Sequence, residues 1–174
     1  MLSMISYWLV PDARHRAVFD GLIASLAARY DAPAFEPHVT IYAGLGGEVD
    51  APGDVVETAV RGLGPLTLRP TGVETSAEFT KTLFVAFHPS EALSRLSADL
   101  RRLSARPADY ALAPHLSLMY RAMAEAERAV LAASIEVPHE TVVFDRVTAI
   151  YAPARTAARA DVESWQVAYT RTLR

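Results

Sequence analysis

One short pattern occurs twice in this chain. Pro37-His38-Val39-Thr40-Ile41 and Pro114-His115-Leu116-Ser117-Leu118 both read Pro-His, an aliphatic residue, a hydroxyl residue, another aliphatic residue. The two histidines stand 115 − 38 = 77 residues apart in a chain of 174, close to half its length. With Pro near 5% of residues and Ser or Thr roughly one in eight, two of the five histidines matching by accident has a chance on the order of one in two thousand. A lone His-x-Ser/Thr is ordinarily a satisfied strand histidine, but two copies at half-chain spacing point to a duplicated unit. In an extended strand, residues i and i+2 project to the same side. Each copy then presents an imidazole and a hydroxyl together, while Val39, Ile41, Leu116 and Leu118 turn to the opposite face and pack.

The surrounding pattern fits such a duplication. Met4 to Val10 reads as a strand stopped by Pro11, and Asp12 caps a helix in which Val18, Leu22, Ile23, Leu26 and Tyr30 recur at helical spacing. Pro37 to Ala43 is the first motif strand. It runs into Gly44-Leu45-Gly46-Gly47, which predicts a mobile loop and, with no following Lys-Ser/Thr, not a nucleotide P-loop. Pro52 to Leu63 fits a helix, and Leu66 to Thr75 and Phe79 to Phe87 fit two strands. Ser90 caps a helix striped by Leu93, Leu96, Leu100 and Leu103 and ended by Pro107. Pro114 to Tyr120 is the second motif strand, Met123 to Ile135 a helix, and Thr141 to Tyr151 and Ser164 to Leu173 the last strands. Each half therefore reads helix, histidine strand, helix, two strands. The expectation is one α+β unit over residues 1–174, with two antiparallel sheets facing a central cleft, helices on the outside and a pseudo-two-fold between the lobes.

Two imidazoles and two hydroxyls facing one another suit phosphodiester hydrolysis. In-line attack needs a base for the entering water and an acid for the departing oxygen on opposite sides of phosphorus. Histidine serves either role near neutrality, and the Thr40 and Ser117 hydroxyls can donate to the non-bridging oxygens. The formal net charge of −3 argues against an extended nucleic-acid partner held by broad phosphate neutralisation, and leaves a small anionic ligand. The chain contains no cysteine, which excludes thiol catalysis and Cys-ligated metal. Two histidines alone make a poor metal site, and Glu36, the nearest acid to either motif, is expected on the other face, so neither a metal nor a cofactor is expected. No apolar run is long enough to span a membrane and the start lacks a basic n-region, which predicts a cytoplasmic protein. With no sustained heptad or apolar stripe, a monomer is expected.

At these residues the chain resembles the 2H phosphoesterase superfamily, and in detail its cyclic phosphodiesterase branch, known from plants and yeast. The matching pieces are Pro37 to Thr40, Pro114 to Tyr120, the strand around Thr80 to Val85, and Glu163-Ser164-Trp165 with the strand that follows. The resemblance implies a bilobal fold with a water-filled cleft and metal-independent hydrolysis of a cyclic phosphate to a monoester. The branch is associated with ADP-ribose 1″,2″-cyclic phosphate and with nucleoside 2′,3′-cyclic phosphates, the latter opened to 2′-phosphates. Carried over by position, His38 and His115 are the catalytic pair and Thr40 and Ser117 hold the phosphate. Tyr120 corresponds to a tyrosine lining the site, although strict alternation places it opposite His115 unless the strand end is bulged. Lys81 falls where the branch carries a polar residue entering the cleft, the alternative being an exposed strand lysine. Tyr42, in phase with His38 and Thr40, is expected at the cleft floor. Trp165 either stacks on a nucleobase or plugs the space between the lobes. His15, His88 and His139 are expected on the surface. The division of acid and base between the histidines stays open. So does the choice between this activity, a 2′,5′-RNA ligase or phosphodiesterase acting on RNA ends, and a catalytically silent nucleotide-binding module.

Overall fold

The computed structural model describes residues 3–47 and 50–174; Met1, Leu2, Glu48 and Val49 lie outside the described residues. Strand β1 (Ser3–Pro11) ends at its proline, and the Asp12 side chain accepts from the His15 N–H to start α1 (Ala13–Tyr30). Then come β2 (Val39–Gly46), α2 (Pro52–Ala59), β3 (Leu66–Leu68), β4 (Pro70–Thr75) and β5 (Leu83–Phe87). The second half continues with α3 (Glu91–Leu103), capped by the Ser90 hydroxyl, β6 (His115–Met119), α4 (Glu125–Ala133), β7 (Val142–Pro153), α5 (Arg159–Glu163) and β8 (Gln166–Thr172).

The α+β expectation holds, but the two expected sheets are continuous. The strand order is β3-β7-β1-β2-β6-β5-β4, antiparallel throughout, with β8 also on the edge of β7. The halves join at the two motif strands through a single register pair, Val39 with Leu116, beyond which β2 and β6 part. The halves also exchange elements. Strand β7 of the second half lies on β1, β5 of the first lies on β6, α1 packs on β6, and α3 packs on β2.

Both motif strands bulge at the same point. Trp8 pairs with Thr40 and Tyr7 with Tyr42, leaving Ile41 as an extra residue; Phe84 pairs with Ser117 and Leu83 with Met119, leaving Leu118 extra. A bulge shifts the alternation by one residue. Hence Val39, Ile41 and Tyr42 all lie in the helix-covered core with Tyr7, Leu9, Phe19 and Ile23, and Leu116, Leu118 and Met119 do the same in the other half. Tyr42 is therefore not at the cleft floor as its phase suggested. Its ring is fully buried, stacks near Tyr7, and accepts a 2.8 Å hydrogen bond from the Ala108 N–H. Gly44 makes room for it, since a Cβ there would lie 2.6 Å from the Tyr42 hydroxyl. Gly44 to Gly46 pair with Ile5 to Ser3 of β1 and so continue β2 rather than form the expected loop.

Three further expectations change. Phe79–Lys81 form a 3-10 turn and the strand begins only at Leu83, because the Thr82 hydroxyl donates to the Arg121 carbonyl (2.6 Å) and accepts from the Arg121 N–H, tying the turn to the end of β6. His15 is buried, held by Asp12 and packed edge-on against His139 at 4.6 Å. The second helix stops at Ala59.

At the first bulge the Ile41 carbonyl accepts a 2.7 Å hydrogen bond from the buried Ser97 hydroxyl of α3. Leaving a buried carbonyl unpaired costs about 1–3 kcal/mol. Ser97→Ala is expected to lower unfolding free energy by about 1–2 kcal/mol in urea titrations, while Ser94→Ala on the same helix changes it by less than about 0.5 kcal/mol.

Candidate active site

The sheet face opposite the helices carries a second, smaller apolar cluster of Trp8, Val10 and Ile150 with Trp165 against it, and beside this cluster opens a cavity of about 400 Å³. His38, Thr40, His115, Ser117, Lys81, Tyr120 and Trp165 all line it; of the residues singled out from sequence as site candidates, Tyr42 alone does not. The bulge at Leu118 that sends Met119 into the core turns Tyr120 back toward the cleft, so one distortion brings Tyr120 in and its counterpart in β2 sends Tyr42 out.

Both imidazoles are aimed in the same way. His38 Nδ1 lies 2.7 Å from the Glu36 carbonyl and His115 Nδ1 lies 2.7 Å from the Ala113 carbonyl, in each case the residue before the motif proline. A carbonyl can only accept, so Nδ1 carries a proton in both rings, and in the neutral form of each ring Nε2 keeps a lone pair.

The environments differ. His38 is 7% exposed, its ring stacked on Trp8 at 3.6 Å and 9°, with Phe35 and Trp165 edge-on at 6.4 and 6.2 Å. Burial pulls its pKa down from 6.5 to about 4, against the upward effect of the bond to the Glu36 carbonyl, while the neighbouring His115 adds to the fall. His115 is more open and meets only the edge of Phe84 at 5.3 Å. Burial lowers it too, its carbonyl bond opposes this, and the charges of Lys81 and Glu78 act in opposite directions.

The hydroxyls also differ. The Ser117 hydroxyl donates to the Thr80 carbonyl at 2.7 Å, whereas the Thr40 hydroxyl has no protein partner among the described residues. Thr40 is thus free to donate to an anion, and Ser117 must turn its proton away from Thr80 to do so. Lys81 sits with Nζ 4.8 Å from the Phe84 ring centre, its charge close to His115. Tyr120 is stacked on Phe35 at 3.9 Å, and burial raises its phenol far above the ordinary value, with the adjacent Ser117 hydroxyl opposing. The Trp165 indole donates to Thr156 at 3.3 Å and meets Trp8 and Tyr120 edge-on at 5.2 and 5.9 Å.

Sequence reading missed Trp8, Phe35 and Glu78. Trp8 was signalled only by its place in phase with Ser6 and Met4 on β1, which becomes informative once β1 is known to pair with β2. Phe35 and Glu78 lie outside the regular helices and strands, where periodicity says nothing. Glu36 does not line the cavity; its carboxylate pairs with Arg16 and Arg146. Among the described residues, no group of three or more His, Cys, Asp and Glu side chains is placed to hold a metal ion, and no helix is long and apolar enough to cross a membrane.

The family model described as cyclic phosphodiesterase-like protein matches residues 2–173. No curated protein is similar in sequence. Among solved structures, Escherichia coli LigT in its apo form aligns over 99% of this chain and 98% of its own with 17% identity and a TM-score of 0.56. The E. coli LigT complex with 3′-AMP covers 98% of each chain at 16% identity and 0.54. A structure described as a phosphoesterase covers 98% of each chain at 16% identity and 0.55. Likeness at this level of identity establishes a shared fold.

An unfolded chain protonates His38 near pH 6.5 and the folded protein not until about pH 4, so between these values the folded state binds fewer protons and loses stability as pH falls. His38→Asn keeps an N–H toward the Glu36 carbonyl but does not titrate. Urea titrations from pH 7 to 4 are expected to show the wild type losing on the order of 3 kcal/mol more than the variant across this window.

Proposed function

The chain belongs to the cyclic phosphodiesterase-like family, and we propose that it is a two-histidine phosphoesterase that hydrolyses a small cyclic phosphodiester, a nucleoside 2′,3′-cyclic phosphate or ADP-ribose 1″,2″-cyclic phosphate, to a monoester without a metal ion. The observation that carries this reading is the matched pair of Nδ1–H···O=C bonds. They leave two Nε2 atoms as the proton-transfer positions of one cavity lined by both motif hydroxyls.

The two environments suggest which histidine does what. His38, buried and stacked on Trp8, is favoured as the neutral base. The attacking water forms its P–O bond as its proton passes to His38 Nε2. His115, more open and beside Glu78, carries the proton that the departing ribose oxygen receives as the ring P–O bond breaks. Binding of the anionic substrate favours protonation of His115 by direct charge attraction. Thr40, Ser117 and Lys81 balance charge on the non-bridging oxygens, and Trp165 and Tyr120 offer aromatic surface to a base.

Wild-type protein in EDTA is expected to turn over at least one of these cyclic phosphates, with His38→Ala and His115→Ala each at least about a hundredfold slower. No turnover of any of them by the wild type, with nucleotide binding retained, would move a silent binding module or an RNA-end substrate to the front. The same assignment requires free enzyme with His38 neutral and His115 protonated. A bell-shaped kcat/KM profile is therefore expected, with its maximum between about pH 4 and pH 6.5; a maximum above pH 7 contradicts the assignment.

A further inference from the structure

His38 depends on a carbonyl in a segment with little backbone support. Residues 32–38 have no regular secondary structure, two of them are prolines without an N–H, and none of 33–38 makes an inter-segment backbone hydrogen bond ahead of β2. Phe35 is stacked on Tyr120, which itself lines the cavity. Glu36 does not line the cavity, and its Oε1 takes Arg16 of α1 at 3.0 Å and Arg146 of β7 at 3.2 Å. All three side chains are between a quarter and about a third exposed, and Arg146 Nε is buried without a partner, so its guanidinium has little besides this carboxylate to satisfy it. Half-buried charges committed in this way resist separation more than surface pairs do. The equivalent residue before the second motif is Ala113, which has no side chain with which to repeat the clamp.

We propose that Glu36, gripped by Arg16 and Arg146, is a positioning residue that fixes the carbonyl setting the tautomer and aim of His38. The three charges tie together α1, β7 and the irregular segment, and so deliver the Glu36 carbonyl to Nδ1 at a fixed point. His115 gets its carbonyl from the backbone alone and keeps more freedom. The asymmetry of the site thus extends beyond the cavity, to a clamp built in one half only. The kinetic part of this inference rests on the hydrolytic reading above; the tautomer part does not.

Protein labelled with 15N at histidine, observed through two-bond 1H–15N couplings, separates the two parts. In wild type both His38 and His115 are expected as the Nδ1–H form. In Glu36→Ala, His38 is expected to become a mixture of tautomers while His115 is unchanged, and Glu36→Gln is expected to fall between. With a nucleoside 2′,3′-cyclic phosphate, kcat in Glu36→Ala is expected to drop roughly ten- to a hundredfold with KM within about threefold, as misaimed groups do. Thermal melts identify a folded variant; if Glu36→Ala does not fold, Glu36→Gln and Arg146→Met carry the test. A His38 tautomer unchanged in the folded variants, with kcat within about twofold of wild type, overturns the proposal. If the wild type hydrolyses no cyclic phosphate but His38 still responds to Glu36, the hydrolytic reading fails and the positioning role stands.

Discussion

Everything at the site follows from how little joins the two motif strands. One backbone pair, Val39 with Leu116, connects the motif strands at the centre of an otherwise well-paired sheet. That pair makes the sheet continuous and places His38 and Ser117 on neighbouring strands with their counterparts, and its isolation lets β2 and β6 part into a cleft. A longer ladder would close the cleft with backbone hydrogen bonds. With no pair at all, the two parts of the sheet that meet at β2 and β6 would be held together there by side-chain packing alone. The exchange of β5 and β7, and the crossing of α1 and α3 onto the opposite motif strands, supply the rigidity that a single pair cannot.

Around this seam the protein repeats one local design and then departs from it. The repeated parts are the Pro-His start, the Nδ1 bond to the carbonyl two residues back, and the bulge after the hydroxyl residue. The departures are chemical. One imidazole is stacked on Trp8 and the other is left more open; one hydroxyl is free and the other bonded to Thr80; one orienting carbonyl is clamped by charges and the other is not. Acid and base catalysis on opposite sides of a phosphorus needs two similar groups with different proton affinities. A duplicated scaffold provides the similarity, and changes outside the motif provide the difference.

The sequence revealed those parts of this account that depend on short-range pattern. The two His-x-hydroxyl strands, the caps at Asp12 and Ser90, and the stripe of Leu93, Leu96 and Leu100 follow from alternation, capping and helical spacing, all local. The bulges were not legible, because an extra residue looks in sequence like any other aliphatic residue. Tyr42 was consequently assigned to the wrong face, and Tyr120 was placed in the cleft only on condition of a bulge. Gly44 looked like flexibility when it is space for the Tyr42 hydroxyl. Trp8, Phe35 and Glu78 reach the site through strand pairing and irregular backbone, for which one sequence gives no local signal.

The central claim is that two imidazoles of defined tautomer address one phosphorus from opposite sides. A crystal structure of the protein with a nucleoside–vanadate adduct, whose five-coordinate vanadium imitates the phosphorus of the transition state, tests it most directly. The account predicts His38 Nε2 and His115 Nε2 each within about 3 Å of a different apical oxygen, with Thr40 and Ser117 on the equatorial ones. Both imidazoles on the same side of vanadium, or an adduct bound away from the cavity between β2 and β6, would contradict it.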